Sequence, residues 1–155
     1  MTDHEQHEHD VNRRLATVWR DSRLGPTVEK LRRHVLSEGD IKLDVSHYRL
    51  LHALAEHGEM PMLKLANTIG ATQSSVSRTV QRLEERALVA KVRSNDDLRS
   101  YTVSLTEQGS IIHSYLVSRA FDVYTDIFAV FTVEERQALS LMLERLLKSA
   151  DSSLA

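Results

Sequence analysis

The sequence contains no cysteine among its 155 residues. This absence excludes disulfide bonds, thiolate nucleophiles, thiolate zinc sites and cysteine redox switches. Glycine and proline are scarce too, with five and two residues, so a long-looped enzyme scaffold is not expected. No phosphate-binding glycine loop, nucleophile elbow or His-Glu-x-x-His pair occurs. We therefore predict that the protein is not an enzyme and uses no cofactor and no resident metal.

Long apolar runs are also missing. No segment approaches the roughly 18 consecutive apolar residues that would cross a bilayer, and the first ten residues are acidic and polar, unlike a secretory signal. Apolar residues make up 41% of the chain and charged residues 27%, a composition that supports a packed core. The sequence predicts a cytoplasmic protein that has no membrane partner.

Charge is distributed unevenly along a chain whose net charge is −2. Residues 60–105 contain seven basic and four acidic side chains, so this segment carries +3 and the remainder −5. A basic centre between acidic ends is typical of a DNA-reading segment within a neutral protein. Chance gives the same pattern often enough that charge alone does not decide the function.

Apolar spacing predicts helices over most of the chain. We expect a disordered tail over residues 1–10, then a first helix over residues 11–23 that Gly25-Pro26 interrupts before a second helical piece begins. Asp44 or Ser46 is expected to cap the next helix, which Gly58 closes. A short helix follows Pro61 and stops at Gly70, and two long helices, capped by Thr106 and Thr132, end the chain.

A helix-turn-helix is predicted at the centre of the sequence. Thr72 can cap its second helix by accepting a hydrogen bond from the backbone of Ser74 or Ser75. Val76, Val80 and Leu83 recur at helical spacing and form one buried stripe. The small polar residues at the start of this helix can enter a major groove, where Ser and Gln reach base edges and Arg reaches phosphate or guanine.

A β-hairpin directly follows that helix. Its strands are predicted over residues 88–93 and 101–105, where apolar and polar side chains alternate in the second strand. At the charged tip, Arg99 can enter a minor groove and Asp97 can orient it. The alternative for the tip is a solvated turn with an incidental ion pair. The predicted DNA-binding residues are Gln73, Ser74, Ser75, Ser77, Arg78, Arg82, Asp97 and Arg99.

The stretch from Met62 to Gly109 resembles the MarR family of bacterial regulators. The matching residues read LKLANTIGATQSSVSRTVQRLEERALVAKV, then the wing motif DLRS, then VSLTEQG. The resemblance implies a homodimer that recognises a pseudo-palindromic operator in double-stranded DNA, often as a repressor that a phenolic or aromatic acid releases. One departure is Ala87, where the family commonly has Gly; a left-handed backbone there would strain Ala87.

The fold class that we expect is mainly α with a small β-hairpin wing. A winged helix-turn-helix DNA-binding domain would occupy residues 44–105, and a helical dimerisation region would combine residues 11–43 and 106–150. Independently of the resemblance, the last two helices are more apolar than a small winged core needs. We expect Leu139, Met142 and Leu146 to lie in a dimer interface; the alternative is that these helices pack on their own core.

Two further hypotheses concern small ligands. The resemblance implies an effector pocket where helices meet the DNA-binding lobe, and there Trp19, Arg23 and His52 could hold an aromatic acid; the alternative for Trp19 is dimer packing. His4, His7 and His9 cluster at spacings that could chelate a divalent metal. A metal-responsive regulator or metal-binding protein is therefore the alternative function, although an incidental cluster in a polar tail explains the same residues.

Overall fold

The computed structural model describes residues 3–38, 41–93 and 101–154. The chain divides into two compact units, residues 1–116 and 117–155. The helices are α1 (Asp3–Leu24), α2 (Pro26–Leu36), α3 (Val45–His57), α4 (Met62–Thr68), α5 (Gln73–Glu85), α6 (Glu107–Phe128) and α7 (Val133–Leu154). The strands are β1 (Ser37–Glu38), β2 (Ile41–Lys42), β3 (Met60–Pro61), β4 (Val89–Arg93) and β5 (Tyr101–Leu105).

The first helix begins earlier than expected. α1 starts at Asp3, so the prediction of a disordered tail over residues 1–10 does not hold for residues 3–10. Side-chain pairs one turn apart extend the helix: Gln6 donates to Asp10 at 3.3 Å, and Arg13 bonds His9 at 3.1 Å. The predicted break at Gly25-Pro26 is confirmed, because α1 ends at Leu24 and Pro26 opens α2.

The helix-turn-helix forms where the sequence places it. Asp44, rather than Ser46, caps α3, and Gly58 ends that helix with φ +75. α4 begins directly after Pro61. Gly70 then turns the chain with φ +60, a left-handed conformation that favours glycine because it has no Cβ. The cap on Thr72 is confirmed: its Oγ1 accepts a hydrogen bond from the Ser75 N–H at 3.3 Å.

The wing belongs to a three-stranded antiparallel sheet with strand order β3-β5-β4. β4 pairs with β5 from Val89 opposite Leu105 to Arg93 opposite Tyr101. On the other side, Met60 of β3 lies opposite Val103. The hairpin forms as predicted. β3 was not predicted from the sequence, because a strand of two residues is too short to show an alternating pattern.

The chain reverses sharply between α5 and β4. Ala87 has φ 55, the left-handed conformation in which a Cβ is disfavoured, so the strain anticipated for the departure from Gly is present. The first turn of α6 lies against this reversal: Thr106 Oγ1 donates to the Ala87 carbonyl at 2.6 Å and accepts from the Gly109 N–H at 2.9 Å. A Cβ on Gly109 would lie 1.9 Å from the Leu88 carbonyl oxygen, so this position requires glycine.

The second unit contains the end of α6 and all of α7. Thr132 caps α7 in a reciprocal arrangement, since its Oγ1 accepts from the Glu135 N–H while its own N–H donates to Glu135 at 2.8 Å. Within α6, the rings of Tyr124 and Phe128 stack with centroids 6.4 Å apart. Many apolar side chains of this unit remain exposed.

We predict that Ala87→Gly stabilises the fold. Glycine relieves a left-handed strain of about 1–2 kcal/mol and adds about 0.4–1 kcal/mol of unfolded-state entropy, so the expected net gain is roughly 0.5–1 kcal/mol. Chemical denaturation measures this difference. Ala90→Gly, within β4 where no such strain exists, is the control and should destabilise. A loss of stability in Ala87→Gly would contradict the account.

Candidate nucleic-acid interface

The position of α5 is set by its buried stripe. Val76, Val80 and Leu83 are 1%, 0% and 0% exposed, which confirms the face predicted from their spacing. Burying each such side chain contributes about 1.5–3 kcal/mol, so rotation of α5 about its axis is strongly disfavoured. The opposite face of the helix therefore points away from the core in a defined orientation.

Most of the predicted DNA-binding residues lie on that outer face. Ser75 is half-buried; its N–H donates to the Thr72 cap and its carbonyl accepts from Thr79 at 3.1 Å. The hydroxyls of Thr72 and Ser74 lie 3.2 Å apart. The exposed members are Gln73, Ser74, Ser77, Arg78 and Arg82.

Neighbouring acidic groups are already engaged. Glu84 binds Lys91 of β4 at 2.6 Å, and Glu85 accepts a hydrogen bond from Gln81 at 3.2 Å. The side chain of Arg78 makes no hydrogen bond or ion pair with any other residue in the described ranges. Its guanidinium therefore has its donors available for a phosphate or a base edge.

Two arginines that were not predicted from the sequence make contacts near the two ends of α5. Arg49 of α3 donates to the Ile69 carbonyl, which lies immediately before Gly70. Arg86 donates to the Lys42 carbonyl at 2.8 Å. These contacts join residues 20 and 44 positions apart, and no local pattern signals such a separation.

The tip of the hairpin, with Asp97 and Arg99, lies outside the described residues. β4 ends at Arg93 and β5 begins at Tyr101, so the two strands bracket the segment as predicted. The contacts of Asp97 and Arg99 with each other and with DNA stay predictions.

A histidine cluster joins α3 to α6. His52 Nδ1 lies 3.2 Å from His113 Nε2, and both rings stack with Tyr48, at centroid distances of 5.7 and 6.1 Å. Burial lowers the pKa of His113 below 6.5, repulsion from His52 lowers it further, and Glu56 opposes the shift. His52, one of the predicted effector residues, also lines a cavity of about 320 Å³. Trp19, another of them, does not line this cavity.

A second histidine completes the cap of α3. His47 Nδ1 accepts a hydrogen bond from the Asp44 N–H at 3.2 Å, which requires an unprotonated Nδ1. Burial lowers the pKa of His47; Asp44 raises it, whereas Arg86 and Arg82 lower it. His47 therefore binds a proton less readily than a free imidazole does, and the two arginines at the end of α5 contribute to this.

The predicted dimer residues lie on one stripe of α7. Met142 and Leu146 are 61% and 44% exposed, and Leu139 is half-buried. In the first unit, Val11, Leu15 and Val18 form another exposed apolar stripe on α1.

None of the helices in the described ranges has the length and apolar character of a membrane span. Among the described residues, no three side chains of His, Cys, Asp or Glu are grouped so that they could hold a metal ion.

Comparison with known proteins identifies relatives of this chain. A family model described as MarR family matches residues 41–100, which include α3, α4, α5 and β4. The homoprotocatechuate degradative operon repressor of Escherichia coli is 27% identical over 122 residues, 79% of this chain and 78% of the repressor. The matches support a transcriptional regulator and give no support to the metal-responsive alternative.

Solved structures share the fold. RV1404 from Mycobacterium tuberculosis superimposes with a TM-score of 0.75 at 20% identity, covering 91% of this chain and 94% of that chain. BpsR from Bordetella bronchiseptica, whose DNA binding is regulated by 6-hydroxynicotinic acid, matches with a TM-score of 0.59 at 24% identity, covering 80% and 98%. The predicted winged helix-turn-helix fold is confirmed.

The lowered pKa of His113 predicts a pH-dependent stability. The unfolded chain binds a proton on this histidine near pH 6.5, whereas the folded chain binds it only at lower pH. The free energy of unfolding should therefore fall as the pH drops from 6.5 to the lowered pKa, and this contribution should then level off. Denaturation of wild type and His113→Gln between pH 7.5 and 5 tests this, because the variant should lose less stability over the interval. Identical pH dependence would show that His113 does not contribute.

Proposed function

Because the chain belongs to the MarR family of transcriptional regulators, we propose that it is a homodimeric repressor that binds duplex DNA and is released by a small aromatic acid. The family consists of regulators, which are not enzymes. In this proposal the protein binds its DNA in the cytoplasm. The observation that carries the DNA-binding role is the exposed polar face of α5 opposite a fully buried stripe.

The geometry of α5 fits a major groove. Ser74 and Ser77 are short enough for the helix backbone to approach the bases, and Arg78 and Arg82 lie one turn apart. The start of α5 favours phosphate oxygens through its unpaired N–H groups. In this proposal Gln73, Ser74 and Arg78 read base edges, Ser75, Ser77 and Arg82 position the helix, and Arg99, oriented by Asp97, enters the minor groove.

The exposed apolar stripes support a homodimer. Leu139, Met142, Leu143 and Leu146 recur at helical spacing on α7, and all but Leu139 are exposed. Exposing a contiguous stripe of this kind to water is unfavourable, and such patches mark association surfaces. A second copy of the chain would cover these stripes. The dimer would then carry two α5 helices, one for each half-site of the operator.

Relatives support an aromatic-acid effector. The E. coli relative is named for homoprotocatechuate degradation, and DNA binding by BpsR is regulated by 6-hydroxynicotinic acid. For this chain we propose that such an acid binds near His52, with Trp19 and Arg23 as further candidates from the sequence.

Arg78→Ala tests the reading helix. If Arg78 contacts a guanine, its loss should weaken binding to the specific site by about 1–3 kcal/mol, with a smaller effect on random DNA. Fluorescence anisotropy with DNA from upstream of the gene measures both affinities. Arg20→Ala removes the same charge from α1 and serves as the control. Unaltered affinity in a folded Arg78→Ala protein would refute the assignment.

Charge substitutions on α7 test the dimer. Replacing Met142 or Leu146 by Asp should cost several kcal/mol of association free energy, because the interface would bury an unpaired charge. Light scattering should then report monomers, whereas Gln137→Asp, on the same helix, should remain dimeric. If both Met142→Asp and Leu146→Asp form stable dimers, the interface lies elsewhere.

A further inference from the structure

We propose that His52 and His113 form a proton-sensitive latch between α3 and α6. The latch is closed while the two rings are neutral or share one added proton, and it opens when both rings are protonated. Opening weakens binding to the specific DNA site, so that the regulator responds to acidification. The inference rests on the proposed DNA-binding function and adds a route of regulation to it.

The two imidazole rings meet directly. His52 Nδ1 lies 3.2 Å from His113 Nε2, and the ring centroids are 5.4 Å apart. A hydrogen bond between two ring nitrogens needs one N–H donor and one unprotonated acceptor. Two neutral rings meet this requirement, and a protonated ring facing a neutral one meets it with a charge-assisted bond. Two protonated rings have no acceptor, so the second proton replaces the hydrogen bond with repulsion.

The two rings differ in their access to water. His113 is only 8% exposed, whereas His52 is exposed. Tyr48 stacks on both rings, with centroids at 5.7 Å from His52 and 6.1 Å from His113. A positive charge on His113 is therefore poorly hydrated, and this burial is the main cause of its lowered pKa. The second proton thus enters the pair only when the solution becomes acidic.

The surroundings of the pair do not supply an excess of negative charge. The charged and titratable groups that face it from α3 are Tyr48, Arg49, Glu56 and His57. Glu56 favours a proton on His113, but Arg49, which lines the same cavity as His52, carries the opposite charge. The end of α4 contributes the uncharged Thr68 and Ile69 to that cavity. Two protonated rings would therefore repel each other with little compensation.

α3 is part of the core that supports the reading helix. Leu50, Leu51 and Leu54 are 0%, 0% and 3% exposed, and α3 packs against α4, α5 and β5. His52 belongs to this helix, so the latch acts on the element on which α5 rests. A shift of α3 relative to α6 therefore changes the support of α5.

Two polar contacts tie α6 to the DNA-binding unit. Just before its first turn, Thr106 Oγ1 donates to the Ala87 carbonyl at 2.6 Å. His113 makes the second contact about 10 Å further along the helix. Opening the latch removes this second contact, so that α3 and α5 can shift relative to α6. Specific binding needs one fixed orientation of α5, so protonation of the pair and DNA binding oppose each other by linkage.

Titration of the histidine rings by NMR tests the latch without DNA. His52 lowers the pKa of His113, so His52→Asn should raise the pH at which His113 takes up its proton. The asparagine amide keeps a polar group near the position of Nδ1 and does not titrate, so it can bond either form of His113. His7→Gln, which removes an exposed histidine from α1, is the control and should leave that pH unchanged. An unchanged titration of His113 in His52→Asn would overturn the proposal.

DNA affinity at pH 7.5 and 5.5 tests the regulation. Acidification adds positive charge and favours DNA binding in general, so the readout is the ratio of wild-type affinity to variant affinity for the same specific site. In His113→Gln and His52→Asn the remaining pair can bind only one proton, so their latch stays closed. The ratio to each variant should fall on acidification by up to about tenfold per pH unit, the limit for one linked proton. With His7→Gln the ratio should stay constant.

The possible outcomes separate the latch from the proposed function. A ratio that stays constant or rises for both His113→Gln and His52→Asn would overturn the regulatory role, while specific binding at pH 7.5 would leave the repressor function standing. If the wild type binds no DNA at either pH, the proposed function fails, and the ring titration decides on the latch alone.

Discussion

The carbonyl of Leu88 is the contact on which the DNA-binding unit depends. It accepts the Thr106 N–H at 3.2 Å and lies so close to Gly109 that no side chain fits there. The left-handed Ala87 one residue earlier directs the chain into this contact. The end of the reading helix, the start of the wing and the first turn of α6 are therefore joined at one point. The glycine of the VSLTEQG segment is explained by this close approach.

The other end of α5 is fixed by different means. Thr72 caps the helix, Gly70 permits the tight turn, and Arg49 holds the Ile69 carbonyl. Between these ends the buried stripe sets the rotation of the helix about its axis. A helix fixed in position and rotation presents one polar face, and in the proposed DNA complex this rigidity would let short side chains discriminate between base edges.

Features determined by nearby residues could be predicted from the sequence. The caps on Thr72, Thr106 and Thr132 are local hydrogen bonds, and the Gly25-Pro26 break is a local backbone constraint, so each follows from a short pattern. The left-handed Ala87 could be anticipated only through the resemblance, because alanine itself does not signal that conformation. The exposed face of α5 followed from helical spacing around the buried stripe.

Features that depend on distant residues could not be predicted. His52 and His113 are 61 positions apart, and neither carries a signal for the other. The same is true of Arg49 with Ile69 and of β3 with β5. The cavity beside His52 arises from packing of α3 against α4, so its volume and its lining appear only in three dimensions. The start of α1 was missed because polar sequence lacks the apolar period, although side-chain pairs within it support a helix.

The central claim is that two copies of this chain read duplex DNA with paired α5 helices. Selection of bound sequences from a random duplex pool tests it most directly. The account predicts enrichment of an inverted repeat whose half-sites are centred about 10 base pairs apart, or a multiple of that spacing, as two-fold symmetric reading helices require. Recovery of no preferred sequence, or of a single half-site without its inverted partner, would contradict it.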